Sequence, residues 1–302
     1  MDSPNTLTYD SDGAIARITL NRPAQGNAIT AEMPFELAAA VERANLDPAI
    51  HVIALAGNGS GFCGGYDLKL SAEGAMDPAF QPAEAPPGSP LDPEVIRDNH
   101  DPGKPWDPMV DYAMMSRFVQ GFMSLFHSNK PVVCKVHGFC VAGGTDMALC
   151  SDLLVIEDKA KIGYPPARVW GSPTTALWAH RIGVARAKRL LFTGDCLTGA
   201  EAVEWGLATE AAPLDQLDAC FEALLERIAR VPVNQLMMMK LLLNQTLLSQ
   251  GLQGTQTLGT LLDGIARHTP EGYAFAQRAQ EAGFKQAVRE RDEPFGDFGR
   301  NA

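Results

Sequence analysis

The stretch "GFCVAGGTDMALCSDLLV" (residues 138–155) decides the fold, because it places a glycine turn between two apolar runs. Gly143 and Gly144 are followed two positions later by Asp146, which stands among interior residue types. A lone carboxylate is costly to bury unless it is hydrogen-bonded, protonated or used in chemistry. The stretch therefore predicts a helix that begins near Gly143, and it makes Asp146 a candidate reacting group.

The segments around this stretch repeat one order of strand, glycine turn and helix. Apolar runs of strand length lie on both sides of the turn, as "KPVVCKVHG" (130–138) and "DLLVIED" (152–158). Further strands are predicted at "AIARITL" (14–20), "HVIALAG" (51–57) and "KIGYP" (161–165), and helices at 35–45, capped by Thr30, and at 111–128. This order predicts an α/β fold.

The last third of the chain is predicted to be helical, with no strand after about residue 185. Thr198 and Glu201 have the spacing of a capping box, and "LDACFEALLERIAR" (217–230) has apolar residues at helical spacing. "PVNQLMMMKLLLNQTLL" (232–248) is apolar nearly all round, so it needs a cover of protein, either a core or a subunit interface. The predicted organisation is a core over 1–195 and a C-terminal helical region over 196–302.

Residues 73–111 interrupt the core with a different composition. Nine of the chain's 21 prolines lie between Pro78 and Pro108, and the segment has nine acidic residues against two basic ones. Such a composition disfavours a core element. The expectation is an irregular surface insertion outside the core, in a position to cover a binding pocket.

Composition excludes several classes of function. A formal net charge of -11 disfavours binding to nucleic acid or to an anionic membrane, and no apolar run reaches membrane-spanning length. The six cysteines show no metal-binding or redox spacing, so reduced, mostly buried thiols in a cytoplasmic protein are expected. No metal site is predicted.

Two glycine turns share one design. Cys63 to Asp67 and Ala142 to Asp146 each follow a buried strand and precede a predicted helix. Backbone N–H groups at two such helix starts can hold an oxyanion between them, which a thioester carbonyl needs when it becomes an enolate. On spacing alone the alternative, two tight connections without a catalytic role, stays open. Neither turn has the glycine spacing of a dinucleotide site or a phosphate loop.

At this point the sequence resembles the crotonase, or enoyl-CoA hydratase/isomerase, superfamily over nearly the whole chain apart from 73–111. The resemblance rests on four segments in order: "LNRPAQGNAIT" (20–30), "GFCGGYDL" (61–68), "KPVVCKVHGFCVAGGTDMALCSDLLV" (130–155) and "RAKRLLFTGDCLTGAEAVEWGLA" (186–208). It implies a spiral of ββα units with a C-terminal helical region that packs between subunits. It also implies a homotrimer or homohexamer, an acyl-CoA substrate, no cofactor beyond the coenzyme A of that substrate, and a role in fatty acid metabolism.

The resemblance also assigns site residues. The two oxyanion donors fall on the N–H groups of Tyr66 and Gly143, and the first hydratase glutamate falls on Asp146. The segment that contacts the acyl-CoA falls on the first turn, at Cys63, Gly65, Tyr66, Asp67, Leu68 and Lys69. The implied activity is that of an enoyl-CoA hydratase, a lyase.

The sequence departs from the hydratase pattern at the second glutamate. That position holds Pro166, which offers neither an acid nor a base, although water addition needs both. The alternatives are an enoyl-CoA isomerase, an acyl-CoA thioester hydrolase or a non-catalytic acyl-CoA-binding member. Asp146 could also merely satisfy backbone donors. Polar residues near the gap are Tyr164, Arg168, Trp170, Thr174 and Thr175, while His137 is expected to be structural and Asp67 a helix cap.

Overall fold

A six-stranded sheet forms the centre of the protein. The computed structural model describes residues 6–67 and 86–296. In these ranges the strands are β1 (Leu7–Asp12), β2 (Ile15–Leu20), β3 (Val52–Gly57), β4 (Val132–Val136), β5 (Phe139–Val141), β6 (Leu153–Glu157), β7 (Lys161–Gly163), β8 (Cys196–Thr198) and β9 (Glu210–Ala212). The main sheet has the order β1-β2-β3-β4-β6-β9, and only its β1–β2 pair is antiparallel.

A smaller sheet of β5, β7 and β8 packs beside the first one. The strands predicted from apolar runs are present as β2, β3, β4, β6 and β7. The expectation of no strand after residue 185 is wrong, because β8 pairs with β7 and β9 completes the edge of the main sheet next to β6. Each of these two strands is three residues long, which is too short for a periodic signal.

The helices cover both faces of the main sheet. They are α1 (Met33–Leu46), α2 (Pro93–Asn99), α3 (Pro108–His127), α4 (Gly143–Ala148), α5 (Trp178–Ile182), α6 (Val184–Thr193), α7 (Gly199–Glu204), α8 (Leu214–Ala229), α9 (Val233–Ser249), α10 (Leu252–Arg267), α11 (Pro270–Ala282) and α12 (Phe284–Asp292). Helix α8 packs on one face, and α1 packs against α3 in the core on the other. The mixed α/β class is therefore confirmed.

Two predicted helix starts have different outcomes. The capping box of Thr198 and Glu201 is present at the start of α7. The N-cap prediction for Thr30 is wrong, because α1 begins after Glu32 and no side chain caps it. Pro34 stands in the first turn of α1, where its missing N–H costs no helical hydrogen bond.

The predicted insertion is more ordered than its composition indicated. Residues 73–85 lie outside the described ranges, but 86–111 contains α2 and the first turn of α3. Asn99 and Asp111 are buried there, and they are hydrogen-bonded to each other at 2.9 Å. The expectation that the whole segment lies outside the core is therefore wrong for this part. Its buried polar groups are paired, which composition alone cannot reveal.

Helix α9 is held to the core by polar contacts and leaves apolar side chains exposed. The buried ammonium of Lys240 donates to the carbonyl oxygen of Leu125 at 2.8 Å and to Asp152 Oδ2 at 2.8 Å. The α9 apolar patch consists of the exposed side chains of Met238, Met239, Leu241, Leu242 and Leu243. The division of the chain at residue 195 stays a prediction. In the described ranges, no helix combines the length and apolar character that crossing a membrane requires.

Candidate active site

The two glycine turns lie against each other at the ends of β3 and β5. The N–H of Val141 donates to the carbonyl oxygen of Cys63 at 3.0 Å, which joins the turns through the backbone. A Cβ added to Gly65 would lie 2.8 Å from the Cβ of Ala142, and one added to Gly144 would lie 2.6 Å from the carbonyl oxygen of Cys63. These approaches leave room only for glycine, so the glycines serve the contact between the turns.

Tyr66 covers the place where the turns meet. Its ring lies so close to Gly143 that a Cβ added there would come within 2.6 Å of it. The ring also contacts Phe118 edge to face, with centroids 5.6 Å apart. The phenol hydroxyl is buried and has no hydrogen-bond partner among the described residues. Burial raises the pKa of Tyr66 well above its usual value, and the charge of Asp146 raises it further.

Asp146 lies in the six-residue helix α4 and is fully buried. Its Oδ1 accepts hydrogen bonds from the N–H of Thr175 at 3.1 Å and from the hydroxyl of Thr175 at 2.9 Å. Burial raises the pKa of Asp146 to about 7, and the two bonds from Thr175 oppose this rise because they favour the ionised form. Both protonation states are therefore populated near neutral pH, as a general acid or base requires.

Three buried polar atoms at this place lack hydrogen-bond partners among the described residues. They are Asp146 Oδ2 and the hydroxyl oxygens of Tyr66 and Thr174. The Thr174 hydroxyl lies close enough to lower the pKa of both Asp146 and Tyr66, although its geometry is not that of a hydrogen bond. Most buried polar groups in folded proteins are paired. The three unpaired atoms therefore mark a point where an oxygen atom of a ligand could form hydrogen bonds.

An apolar cavity of about 250 Å³ opens in front of the turns. Its wall combines the turns with α2, α3, the segment after β7 and the C-terminal helices. The lining residues are Ile29, Gly64, Tyr66, Asp67, Ile96, His100, Met114, Met115, Phe118, Val141, Ala142, Tyr164, Pro165, Pro166, Trp170, Gly171, Asp263, Arg267, Phe275, Phe284, Val288, Arg291 and Asp292. Such a cavity, apolar with a few polar groups at defined points, is typical of small-molecule sites.

The cavity wall separates the sequence candidates into two groups. Tyr66 and Asp67 line it, whereas Asp146 does not, and the Tyr66 side chain presents its ring to the cavity while its hydroxyl is buried. Pro166 also lines the cavity, so the position at which the resemblance implies a second glutamate faces this space. Gly143 and Gly65 contribute backbone behind the Tyr66 ring.

The remaining sequence candidates have structural partners. The thiol of Cys63 donates to the carbonyl oxygen of Asn27 at 3.1 Å, and burial raises its pKa to about 12, so it is an inert thiol. Asp67 forms an ion pair with Arg22 at 3.0 Å, and the helix that it was expected to cap lies outside the described residues. Leu68 and Lys69 lie outside the described residues.

The candidates around the Pro166 gap have different roles. Thr175 binds Asp146, and the hydroxyl of Tyr164 donates to the carbonyl oxygen of Ser172 at 2.9 Å. Arg168 does not line the cavity but is held by Asp195 and Asp292, with the Asp292 contact at 2.8 Å. His137 bonds to the carbonyl oxygen of Gly59 at 2.9 Å, in agreement with the structural role expected for it.

Sequence reasoning missed a charged pair on α10. Asp263 and Arg267 both line the cavity and form an ion pair one helical turn apart. Arg267 also binds Asp111 of α3 at 2.9 Å. The i, i+4 spacing of the pair is visible in the sequence, but the same spacing is common on exposed helix faces. Nothing in the local sequence indicates that this pair is buried.

One group of side chains in the described ranges has metal-ligand geometry. Ligand atoms of His100, Asp111 and His268 lie within 4.8 Å of one another. Both ring nitrogens of His268, however, face carbonyl oxygens, at 2.8 and 3.1 Å. The oxygens of Asp111 are engaged by Arg267 and by the indole N–H of Trp106, which lies at 2.7 Å. The group is therefore a hydrogen-bond network around a buried carboxylate.

Comparison with known proteins identifies the family. The sequence model described as Enoyl-CoA hydratase/isomerase matches residues 10–85 and 108–280. The chain belongs to the enoyl-CoA hydratase/isomerase family and is an enzyme of this family, which confirms the resemblance to crotonases and the crotonase-like fold. The match omits 86–107, so the part of the chain without a counterpart in the family model is shorter than the predicted 73–111.

Individual relatives agree with this assignment. A crystal structure titled enoyl-CoA hydratase from Mycobacterium smegmatis is 56% identical, has a TM-score of 0.91, and the match covers 100% of this chain and 98% of that one. A Mycobacterium tuberculosis protein named as an enoyl-CoA hydratase is 30% identical over 255 residues, which cover 80% of this chain and 73% of that protein. The carnitinyl-CoA dehydratase of Proteus mirabilis is 28% identical over 74% of each chain.

The raised pKa of Asp146 predicts a pH-dependent stability effect. Between the usual pKa of 3.8 and the folded value of about 7, the folded state holds a proton that the unfolded state releases. Stability from this group is thus fully present at low pH and is lost as the pH rises through this window, by about 1.4 kcal/mol for each pKa unit. Asp146→Asn, which cannot ionise, should raise the melting temperature clearly at pH 8 and much less at pH 5. An equal change at both pH values would mean that the fold does not disfavour ionised Asp146.

Proposed function

We propose that this enzyme adds water to the double bond of a 2-enoyl-CoA thioester. The observation that carries the proposal is the meeting of the two glycine turns, with the buried Asp146 beside them, at the end of an apolar cavity. An enoyl group needs an apolar pocket, a pair of donors for the thioester oxygen and a group that exchanges a proton with the α-carbon. The names of the related hydratases support the same choice.

The thioester oxygen would lie between the N–H groups of Tyr66 and Gly143. Both belong to turns that are fixed by close backbone contact, so they would be oriented before the substrate binds. Asp146 would give a proton to the α-carbon of the enolate, and its populated protonated form at neutral pH suits that role. The Tyr66 ring lines the cavity, whereas Asp146 does not. The Tyr66 side chain therefore has to move for the acyl group to reach Asp146.

The substrate of this proposal has an apolar acyl group. Ile96, Met114, Phe118, Trp170 and Phe275 supply apolar side chains to the cavity wall. These residues come from α2, α3, the segment after β7 and α11, so the acyl group would be enclosed on several sides. Cytoplasmic location and a role in fatty acid metabolism are parts of the same proposal.

The first experiment is turnover of crotonyl-CoA, followed by the loss of the enone absorbance. Wild-type protein should consume this absorbance, and Asp146→Asn should reduce turnover by at least roughly 10²–10⁴-fold, as is typical of a lost general acid or base. The variant keeps the size and the Oδ1 hydrogen bonds of Asp146, so acyl-CoA affinity should be unchanged. Binding without loss of absorbance by the wild type would favour isomerisation, hydrolysis or binding alone. Full activity of the variant would reduce Asp146 to a structural carboxylate.

Pro166 offers a gain-of-function test of the same site. Pro166→Glu would place a carboxylate on the cavity wall at the family's second glutamate position, so hydration should become faster. The measurement is the initial rate of crotonyl-CoA hydration at equal protein concentration. Pro166→Gln, which has the same shape without the charge, is the matched control. Equal rates for the two variants would contradict an acid-base role of the introduced group.

We also propose that the α9 apolar patch is a contact between subunits in a trimer or hexamer. Five exposed Met and Leu side chains on one helix form a surface that soluble monomers rarely leave uncovered. The polar anchor of Lys240 faces the core, which leaves these side chains free for a second copy.

Leu242→Asp places a charge in the α9 apolar patch and should shift the assembly towards monomers in light scattering at micromolar concentration. Desolvating the new carboxylate at an interface is unfavourable, whereas in a monomer it stays in water. Leu46→Asp, at an exposed leucine of α1, is the control and should leave the mass unchanged. A wild-type protein that is already monomeric would contradict the proposal.

A further inference from the structure

The cavity contains a carboxylate that can fill the gap left by Pro166. Three acidic residues line the cavity in the described ranges: Asp67, Asp263 and Asp292. Asp67 is paired with Arg22, and Asp292 is paired with Arg168 and Arg291. The charge of Asp263 raises the pKa of Asp146. Asp263 is therefore a carboxylate that lines the cavity and whose charge also acts on Asp146.

A single short loop holds both carboxylates. The N–H of Ser172 donates to Asp263 Oδ1 at 3.1 Å, and the N–H of Thr175 donates to Asp146 Oδ1 at 3.1 Å. Helix α10 can approach this loop because Gly259 has no side chain, and a Cβ there would lie 2.7 Å from the carbonyl oxygen of Pro173. Asp263 follows Gly259 by one helical turn, so it is directed to the same loop. The loop thus fixes the two acids relative to each other.

The two carboxylates have different surroundings. Asp146 is fully buried and has no ion-pair partner among the described residues, while Asp263 forms an ion pair with Arg267. Burial raises the pKa of Asp263, and Arg267 opposes that rise. Environments of this kind separate an acid from a base in a pair of carboxylates. The ion pair with Arg267 favours the ionised form of Asp263, whereas Asp146 receives only hydrogen bonds.

We propose that Asp263 is the second catalytic carboxylate of this enzyme and that it activates the water molecule in place of the glutamate missing at Pro166. The proposal rests on the hydration proposed above. Asp263 takes a proton from water as the water oxygen bonds to the β-carbon. The electron pair of the double bond moves towards the thioester and forms the enolate, and Asp146 delivers its proton to the α-carbon. Asp263 then returns the acquired proton through solvent to Asp146, so the cycle is balanced without any further reactant.

Arg267 is the positioning residue in this arrangement. It binds Asp263 on its own helix and Asp111 of α3 on the other side. The titratable groups that affect Asp263 or are affected by it are Arg267, Asp111, Asp146, Tyr66 and Tyr164. The charge of Arg267 offsets that of Asp263, so the carboxylate can stay ionised in an apolar cavity.

The test separates water activation from proton exchange at the α-carbon. Asp263→Asn should reduce crotonyl-CoA hydration by at least roughly 10²-fold. It should keep the exchange of α-protons of butyryl-CoA in heavy water within about threefold of wild type, because that exchange needs only Asp146 and the oxyanion donors. Asp146→Asn should lose both reactions. Hydration by Asp263→Asn at the wild-type rate would overturn the proposal, as would equal loss of both of its reactions.

Asp111→Asn is the matched control. Asp111 is also a buried partner of Arg267, but it does not line the cavity. Its loss should lower the melting temperature and leave the rate of hydration within about threefold. If Asp111→Asn and Asp263→Asn lose hydration equally, the effect acts through Arg267 and the proposal is wrong.

Two further measurements keep the result unambiguous. If Asp263→Asn fails to fold, the double variant Asp263→Asn with Arg267→Gln removes both charges of the pair and should show the same selective loss of hydration. Retained hydration in the double variant would overturn the role of Asp263. Failure of the wild-type protein to hydrate any enoyl-CoA would instead overturn the proposed function. Wild-type protein that exchanges the α-protons of butyryl-CoA but hydrates no enoyl-CoA is thereby distinguished from a wrong role for Asp263, which requires hydration by the wild type.

Discussion

The dominant constraint on this structure is the cost of keeping carboxylates away from water. Asp146 of α4, Asp263 of α10 and Asp111 of α3 are all buried, and one guanidinium, that of Arg267, pairs with two of them. Removing an ionised carboxylate from water is unfavourable by several kcal/mol unless charges and hydrogen bonds replace the lost hydration. The elements around the cavity are arranged to supply those replacements, and one acid, Asp146, receives only hydrogen bonds.

Backbone strain surrounds the same acids. Ala142, Trp170 and Ala176 have positive φ angles of 54°, 80° and 54°, although none of them is glycine. Ala142 directly precedes α4, Ala176 directly follows the threonine that binds Asp146, and Trp170 lines the cavity. Each such residue costs on the order of 1–3 kcal/mol, and strain of this kind is concentrated at functional sites. The packing of the core therefore holds the loops in conformations that local sequence preference disfavours.

The sequence allowed the sheet and the turns to be predicted, but not the complete site. The strands β3 and β4 are apolar apart from Lys135 of β4, because most of their residues are buried on both faces of the sheet, and this pattern is local. The shared design of the two turns allowed for N–H groups that meet around one oxyanion, and the family resemblance assigned Pro166 to the second glutamate position. Asp263 could not be predicted in this way, because its burial depends on α10 packing against a loop about ninety residues earlier in the chain.

The predicted insertion at 73–111 also shows that local sequence does not determine which polar residues are buried. Its composition is that of an exposed segment, yet Asn99 and Trp106 both donate to the buried Asp111, and Ile96 and His100 line the cavity. A local count of charges and prolines cannot detect this, because the partners of the buried groups lie on α3 and α10. Burial of a polar residue depends on its hydrogen-bond partners, which can be distant in sequence.

The cavity thus combines parts of two kinds. The glycine turns and Asp146 belong to the segments that match the family model, whereas α2, which contributes Ile96, lies in the range 86–107 that the model omits. In the proposed reaction, the first kind would supply the oxyanion donors and the acid. The second kind lines the part of the cavity that the acyl group would occupy in the proposed reaction. Arg267 connects the two kinds, since it binds Asp111, the partner of Asn99, and also Asp263, the carboxylate proposed to activate water. Arg267 therefore joins the two parts of the cavity wall in the fold, while the proposed reaction depends on Asp146 and Asp263.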